Sequence, residues 1–362
     1  MDPSSLGNIP EDGSSEDKDL PRPLRPVEFD SSLPHPPPAR ISKQASSPID
    51  WNLYFDKEED VRIPETTDVF HVYTAGTGGP VVFCIHGGGY SGLSFALAAS
   101  KIKEKARVVA VDLRGHGKSC TEDEIGLSID TLCNDVLAVI RTMYGGTPPA
   151  IILVGHSMGG SVAIHVAAKN VLRSLAGLVA IDVVEGTAIA SLFHMRKILS
   201  NRVQHFASIG KAIEWSVRGG SLRNLESARV SVPSTLKYDE SRECYVYRAR
   251  LEETEEYWRG WYEGLSEKFL SCPVAKLLLL AGTDRLDRCF FYTYMLLLER
   301  SLTIGQMQGK FQMVLIRNTG HAIQEDVPDE FANHILNFIS RNCIGPSGIE
   351  IPGLRRPQPS QH

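Results

Sequence analysis

One stretch constrains the fold of this chain more than any other. An apolar run of strand length, residues 151–154, leads into Gly-x-Ser-x-Gly centred on Ser157, and a run typical of a helix follows at 161–169. This order predicts a tight strand-to-helix turn, a nucleophile elbow, that presents the serine hydroxyl at the edge of a sheet. Gly155 and Gly159 suit the turn because a Cβ atom at either position would crowd it.

Further apolar runs of strand length lie on both sides of this elbow. Strands that are buried on both faces read as continuous apolar runs, and segments with helical spacing separate them here. Strands that alternate with helices predict an α/β fold with a mostly parallel central sheet flanked by helices on both faces. The predicted strands lie at residues 69–73, 81–85, 108–113, 175–181, 273–281 and 311–316, and the predicted helices at 93–105, 129–144 and 328–341.

Composition divides the chain into three parts. Residues 1–48 are rich in Pro, Ser and acidic residues, which predicts disorder. The domain that carries the elbow is predicted over residues 49–344, and it resembles the α/β-hydrolases. Residues 187–269 are more polar and helical, and they lie where that fold inserts a lid. Residues 345–362 are rich in Pro and Gly, which predicts a flexible tail.

A serine hydroxyl is a poor nucleophile at neutral pH, so it needs a base, and the base needs an orienting acid. In this fold the order along the chain is Ser, then Asp or Glu, then His. His321 follows the last predicted strand, where the base is expected. Asp284 follows the penultimate strand and Asp182 the strand before it. Sequence spacing leaves both aspartates open as the acid.

A second glycine-rich segment predicts an oxyanion hole. Gly87, Gly88 and Gly89 follow a buried strand, so their backbone N–H groups can approach a ligand closely. The N–H of Met158, at the start of the elbow helix, is a further expected donor. His116 lies in another loop at a strand end and is expected to be structural.

Bulk properties exclude several classes of protein. The formal net charge is −5, which gives no sign of nucleic-acid binding, and no apolar run approaches the ~20 residues of a membrane helix. The seven cysteines are scattered without a Cys-x-x-Cys pair, as expected for reduced thiols in the cytoplasm or nucleus. No device for dimerisation is evident, so a monomer is expected.

Beyond the fold, the chain resembles one family in detail, the protein phosphatase methylesterases. The resemblance runs from about residue 51 to residue 332 and is far more specific than a generic hydrolase pattern. The stretches that carry it are residues 154–160, 181–188, 212–217, 223–230, 277–282 and 302–313.

This resemblance implies a function and a set of site residues. It implies a serine carboxylesterase that demethylates the methylated C-terminal leucine of the type-2A Ser/Thr protein phosphatase catalytic subunit, which would be its partner. It implies Ser157 as nucleophile, His321 as base and Asp182 as acid, and it makes Asp284 structural. No metal or organic cofactor is needed for this chemistry.

The lid suggests how a large, acidic-tailed protein partner would dock, because it is rich in arginine and tryptophan. An equally good interpretation of the arginines is a solvated helix face. The residues concerned are Arg218, Arg223, Arg229, Trp215, Trp258 and Trp261.

One segment departs from the family pattern. Residues 289–301 are strongly apolar and lie between the candidate acid Asp284 and the base His321. In the family pattern the segment that matches 284–287 runs almost directly into the one that matches 302–305. Two other functions are therefore kept as alternatives. One is a generic small-ester hydrolase, and the other is a non-catalytic phosphatase-binding or inhibitory protein on a hydrolase shell.

Overall fold

The computed structural model describes residues 46–282 and 300–350 of the chain. Most strands join one sheet with the elbow strand near its centre. In chain order the strands are β1 (Lys57–Arg62), β2 (Val69–Ala75), β3 (Val81–Ile85), β4 (Arg107–Val111), β5 (Ile151–His156), β6 (Leu175–Ile181), β7 (His205–Phe206), β8 (Leu236–Asp239), β9 (Cys244–Tyr247), β10 (Ala275–Ala281), β11 (Gln312–Ile316), β12 (Ile344–Gly345) and β13 (Gly348–Ile349).

The large sheet has the strand order β1-β2-β4-β3-β5-β6-β10-β11. Every neighbouring pair from β4 to β11 is parallel, whereas β1 and β2 are antiparallel at one edge. The predicted mostly parallel sheet is confirmed. Because parallel strands end at the same edge of a sheet, the segments that follow β3, β5, β6 and β11 meet there.

Helices connect the strands and cover the sheet. In chain order they are α1 (Ala96–Ile102), α2 (Ile129–Tyr144), α3 (Met158–Ala168), α4 (Glu185–Asn201), α5 (Ile209–Arg218), α6 (Leu225–Ser231), α7 (Glu255–Tyr262), α8 (Leu265–Ser271), α9 (Arg300–Met307), α10 (Ile323–Asp326) and α11 (Pro328–Arg341). Short 3₁₀ helices lie at Trp51–Leu53, Gly92–Phe95, Val232–Thr235 and Leu251–Thr254.

The two faces of the sheet have separate cores. Val81, Phe83 and Ile85 of β3 pack on one side with residues of α2 and α3. Val82 and Cys84 of the same strand pack on the other side with residues of α1 and α11. Successive side chains of a strand point to opposite faces, so a strand covered by helices on both faces must be apolar at every position. This is why β3 reads as a continuous apolar run.

The lid lies between β6 and β10. It is mainly helical, as predicted, and it also contains a small antiparallel sheet in the order β7-β9-β8 that the sequence did not reveal. These strands are two to four residues long. That length is too short for a two-residue period to be recognised.

The sequence also did not reveal β1. Only Val61 of its six residues is apolar, and the others are charged. A charged strand is suited to a sheet edge, where it discourages pairing with another chain.

Both ends of the chain and one internal segment lie largely outside the described residues. Residues 1–45 of the segment predicted to be disordered, the candidate acid Asp284 and most of the apolar segment 289–301 therefore lie outside the described residues. Of the other three residues predicted to be disordered, Ser46 is buried and Ser47 accepts a hydrogen bond from Arg229, so order begins before residue 49. β12 and β13 form a hairpin, so regular structure continues past residue 345, where the tail was predicted to begin. Within the described ranges, no helix is long and apolar enough to cross a bilayer.

Candidate active site

The elbow after β5 holds Ser157 in a strained conformation. Its backbone lies at φ 52° and ψ −119°, in the left-handed region that non-glycine residues rarely adopt. A Cβ atom on Gly155 would lie 2.2 Å from the carbonyl oxygen of Gly159, and one on Gly159 would lie 2.3 Å from that of Ile85. Both glycines are therefore required by the turn, because the atoms they would meet belong to the backbone.

His321 and Asp182 are joined at the same edge of the sheet. The Nδ1 atom of His321 lies 2.7 Å from Oδ2 of Asp182. The other carboxylate oxygen, Oδ1, accepts the N–H of Ala281 at 2.9 Å, which fixes the carboxylate against β10. When Nδ1 donates its proton to a carboxylate, Nε2 keeps a lone pair and can accept a proton.

Asp182 follows β6 and also has a positive φ, of 49°. Its side chain is 13% exposed, whereas that of His321 is 48% exposed. The candidate acid is thus largely shielded from water, whereas about half of the candidate base is exposed. The alternative acid, Asp284, lies outside the described residues, so the structure makes no comparison between the two.

Ser157, Asp182 and His321 line one cavity of about 500 Å³, together with Met158 and Gly88. The structure therefore brings the predicted nucleophile, acid and base to a single concave site. Cavities of about 300–1,000 Å³ are typical of small-molecule sites in proteins.

The glycine-rich loop after β3 lies against the elbow. A Cβ atom on Gly87 would lie 3.2 Å from that of Ser157. The N–H of Gly89, however, donates to Nε2 of His116 at 2.9 Å. Gly89 is therefore already engaged, which leaves Gly87 and Gly88 as the candidate donors of this loop beside Met158.

His116 is buried and hydrogen bonded through both ring nitrogens. Its Nδ1 donates to the carbonyl oxygen of Arg114 at 2.7 Å, so Nε2 is the acceptor for Gly89. Burial lowers the pKa of His116 to about 4. The ring is neutral at physiological pH and holds the loop in place, as a structural histidine would.

Sequence reasoning missed His156, the residue before the nucleophile. This buried histidine donates from Nε2 to the carbonyl oxygen of His321 at 3.0 Å, and the two rings lie 4.7 Å apart. The ring of Tyr90 also meets His156, edge-on and with 5.0 Å between the ring centroids. Burial holds the pKa of His156 well below its ordinary value, and repulsion between the two rings when both are protonated adds to this effect. Its position inside Gly-x-Ser-x-Gly was the only signal in the sequence.

Tyr262, at the end of α7, is a second residue that the sequence did not single out. It lines the cavity and is only 4% exposed. Burial raises the pKa of Tyr262 to about 12, against a smaller opposite effect of a hydrogen bond with Ser157. The lid therefore contributes a phenol to the surroundings of the nucleophile.

The tryptophans proposed for docking are not all at the surface. Trp258 and Trp261 are buried and belong to the core that covers α3. Arg218 forms an ion pair with Glu214 at 2.8 Å, and Nε of Arg229 donates to the carbonyl oxygen of Ser47 at 2.6 Å. These contacts give the four side chains roles within the fold.

Comparison with known proteins places this fold in a class. The family model described as the alpha/beta hydrolase family matches residues 81–334. The E-2-(acetamidomethylene)succinate hydrolase structure covers 78% of this chain and 99% of its own, with a TM-score of 0.64 and 21% identity, a likeness that concerns the fold alone. The chain is an α/β-hydrolase, as the sequence predicted.

The sequence relatives narrow the class to a family. Protein phosphatase methylesterase 1 of Homo sapiens is 42% identical, over 83% of this chain and 86% of the relative. Probable protein phosphatase methylesterase 1 of Caenorhabditis elegans is 44% identical, over 83% of this chain and 80% of the relative. The chain belongs to the protein phosphatase methylesterase family and is a carboxylic ester hydrolase.

Proposed function

We propose that this chain removes the methyl group from the methylated C-terminal leucine carboxylate of the type-2A Ser/Thr protein phosphatase catalytic subunit. Ser157 is the nucleophile, His321 the base and Asp182 the acid. The contact of 2.7 Å between Asp182 and His321, in a cavity that Ser157 also lines, carries the proposal. The names of the sequence relatives support the substrate class.

The first step forms an acyl-enzyme. Ser157 Oγ attacks the ester carbonyl carbon while Nε2 of His321 takes the hydroxyl proton. Asp182 stabilises the imidazolium that results. The tetrahedral intermediate then collapses, the bond to the methoxy oxygen breaks, and His321 returns the proton so that methanol leaves.

The second step reverses these roles with water. His321 takes a proton from a water molecule, and the oxygen attacks the acyl carbon. The bond to Ser157 Oγ breaks and the serine regains its proton. The products are the free leucine carboxylate and methanol, so one ester bond and one water molecule are consumed, and the chemistry requires no metal or organic cofactor.

Both tetrahedral intermediates carry a negative oxygen that needs hydrogen-bond donors. The N–H of Met158 at the start of α3 and an N–H of Gly87 or Gly88 are the proposed donors, and each is typically worth about 3 kcal/mol. Gly89 is set aside because its N–H already donates to His116. The hydroxyl of Tyr262 is buried beside Ser157 and limits the orientations of Oγ.

The partner, the oligomeric state and the cellular compartment also stay proposals. The partner is the phosphatase catalytic subunit, engaged through its methylated tail, and the chain acts as a monomer in the cytoplasm, with the nucleus as a second compartment. Docking through the lid arginines also stays a proposal, and the contacts of Arg218 and Arg229 within the chain would compete with it.

The test is methyl release from carboxymethylated phosphatase. The parent chain should release methanol, and Ser157→Ala should abolish release, a loss of at least about 10⁴-fold. Asp182→Asn should cost about 10⁴-fold in kcat because the base loses its orienting carboxylate. Asp284→Asn, which exchanges the other candidate acid, is the matched control and should retain most activity.

Two results would contradict this proposal. A large loss in Asp284→Asn with little loss in Asp182→Asn would assign the acid to Asp284. No release by the parent, together with binding to the phosphatase and no labelling by a fluorophosphonate, would favour the non-catalytic binding protein. A variant that lacks residues 289–301 tests whether that segment prevents activity.

A further inference from the structure

The cavity beside Ser157 is larger than a leucine side chain needs. Its volume is about 500 Å³, and a leucine side chain contributes only four carbon atoms. Sites of this size commonly enclose drug-sized ligands. The side chain of the substrate's leucine would therefore fill only part of the cavity.

The walls of the cavity away from the catalytic residues are mostly apolar. They come from α4, from the segment before it, from the 3₁₀ turn Leu251–Thr254 and from α7. The apolar lining residues are Val183, Val184, Ala188, Met195, Ile198, Leu199, Leu251, Trp258 and Trp261. Thr187 and Ser191 are polar exceptions, and their hydroxyl groups donate to the carbonyl oxygens of Val184 at 3.1 Å and Ala188 at 2.7 Å.

The tryptophans in this wall offer a ligand no hydrogen bond. The indole N–H of Trp258 donates to Oγ1 of Thr254 at 3.1 Å, and that of Trp261 donates to the carbonyl oxygen of Leu127 at 2.7 Å. A peptide group lying against these two indole rings would lose its hydrogen bonds to water without replacement. A hydrocarbon chain loses none, and each buried methylene favours binding.

We propose that this chain also hydrolyses esters of unbranched, medium-length fatty acids. The acyl chain lies in the cavity along Val184, Ala188 and Met195. This inference rests on the proposed function, since it uses the same nucleophile. It places the acyl side in the cavity because the alcohol of the proposed methyl ester substrate is methanol, which is too small to fill it.

The chemistry of the additional reaction is ordinary ester hydrolysis. With a p-nitrophenyl ester, Ser157 Oγ bonds to the acyl carbon, the bond to the p-nitrophenoxy oxygen breaks, and His321 holds the serine proton. Water then adds to the acyl carbon and the bond to Oγ breaks. One ester and one water yield one fatty acid and one p-nitrophenol, with no change of oxidation state.

A chain-length series tests the proposal directly. We expect kcat/KM for p-nitrophenyl esters to rise from acetate through butyrate to octanoate, by up to roughly fourfold for each methylene that enters the cavity. A kcat/KM that stays level or falls steadily from acetate to octanoate would overturn it.

Two substitutions in α4 locate the acyl chain. Ala188→Phe fills the cavity and should lower kcat/KM for octanoate at least tenfold while that for acetate changes little. Ala190→Phe makes the same change at an exposed position of the same helix and should leave both substrates unchanged. Equal losses for acetate and octanoate in Ala188→Phe would show that the chain does not lie there.

Met195→Ala is a second probe that does not depend on added bulk. It enlarges the cavity and should move the preferred acyl length upward, and an unchanged preference would count against the proposal. Methyl release from carboxymethylated phosphatase, measured in parallel, separates the two activities. Methyl release without a preference for longer acyl chains would overturn this inference alone. Absence of both activities would overturn the proposed function as well.

Discussion

Two helices that line the same cavity are held in opposite ways. α3 begins directly after Ser157, and nine of its eleven residues are buried. α4 begins after Asp182 on the neighbouring strand, and only Leu199 of its 17 residues is buried. Phe193 of α4 is 86% exposed.

The difference follows from what each helix does. α3 carries the proposed backbone donor, Met158, directly after the strained Ser157, and it is packed between the sheet, α2 and α8. α4 contributes side chains to the wall of the cavity. The size of these side chains can change without moving the reacting atoms. Substitutions in α3 should therefore alter stability first, and substitutions in α4 should alter substrate preference first.

The largest effect that would test this contrast is on stability. Gly159→Ala places a Cβ atom 2.3 Å from the carbonyl oxygen of Ile85 and 2.4 Å from that of His86. Because those atoms belong to the backbone, the elbow must distort, and the free energy of unfolding should fall by about 4 kcal/mol or more. Chemical denaturation measures the change.

Gly260→Ala in α7 is the matched control on the lid side. A Cβ atom there has no neighbour within 4 Å, and alanine is the better helix former, so stability should rise by up to about 1 kcal/mol. Equal changes in the two variants would break the contrast between the elbow and the lid.

A smaller effect concerns Glu325 in α10, four residues after the proposed base, His321. This side chain is 1% exposed, and Oγ of Ser231 donates to its Oε2 at 2.5 Å. Burial raises the pKa of Glu325 to about 8, the hydrogen bond from Ser231 opposes this rise, and the negative charge of Asp326 adds to it. The folded state thus favours the neutral acid.

The sign of the pH dependence follows. Because the folded pKa exceeds the ordinary value near 4.5, the stabilisation is complete below about pH 4.5 and is lost as pH rises towards 8. Glu325→Gln removes this loss, so the Tm of the variant relative to the parent should increase across that window, by an amount worth a few kcal/mol. Glu330→Gln, on an exposed carboxylate of α11, controls for the change in net charge. A Tm difference that is flat between pH 5 and pH 9 would refute the assignment.

The smallest expected effect is on the base itself. His156→Phe keeps a ring beneath His321 but removes the donor to its carbonyl oxygen. A hydrogen bond of this kind is worth about 1–3 kcal/mol when one partner is left without it, so kcat for methyl release should fall roughly tenfold with KM little changed. His156→Gln retains an N–H donor and should recover part of the loss.

These two variants separate positioning from packing. If His156→Phe and His156→Gln lose the same Tm and the same kcat, the residue only fills space. A lower kcat in His156→Phe at unchanged Tm would show that His156 positions the loop that carries His321. The rigidly held part of the site would then include this loop as well as α3.

The sequence by itself determined the parts of the fold that rest on local patterns. β3, β6, α2 and α11 have the predicted bounds, because their apolar periods are long and uninterrupted. The elbow could also be predicted from the sequence, since only glycine tolerates the close approach of backbone atoms at positions 155 and 159. The short strands of the lid and the charged edge strand β1 carried too few apolar residues to be recognised.

Only the tertiary structure decided the contacts between segments far apart in the chain. Sequence spacing left Asp182 and Asp284 open as partners of His321. The folding of β6 beside β10 put Asp182 at 2.7 Å from His321. Folding also engaged the N–H of Gly89 with His116 and buried Trp258 and Trp261. Such hydrogen bonds and buried faces depend on which loops meet at a sheet edge. The local pattern of apolar residues along the chain does not specify which loops meet.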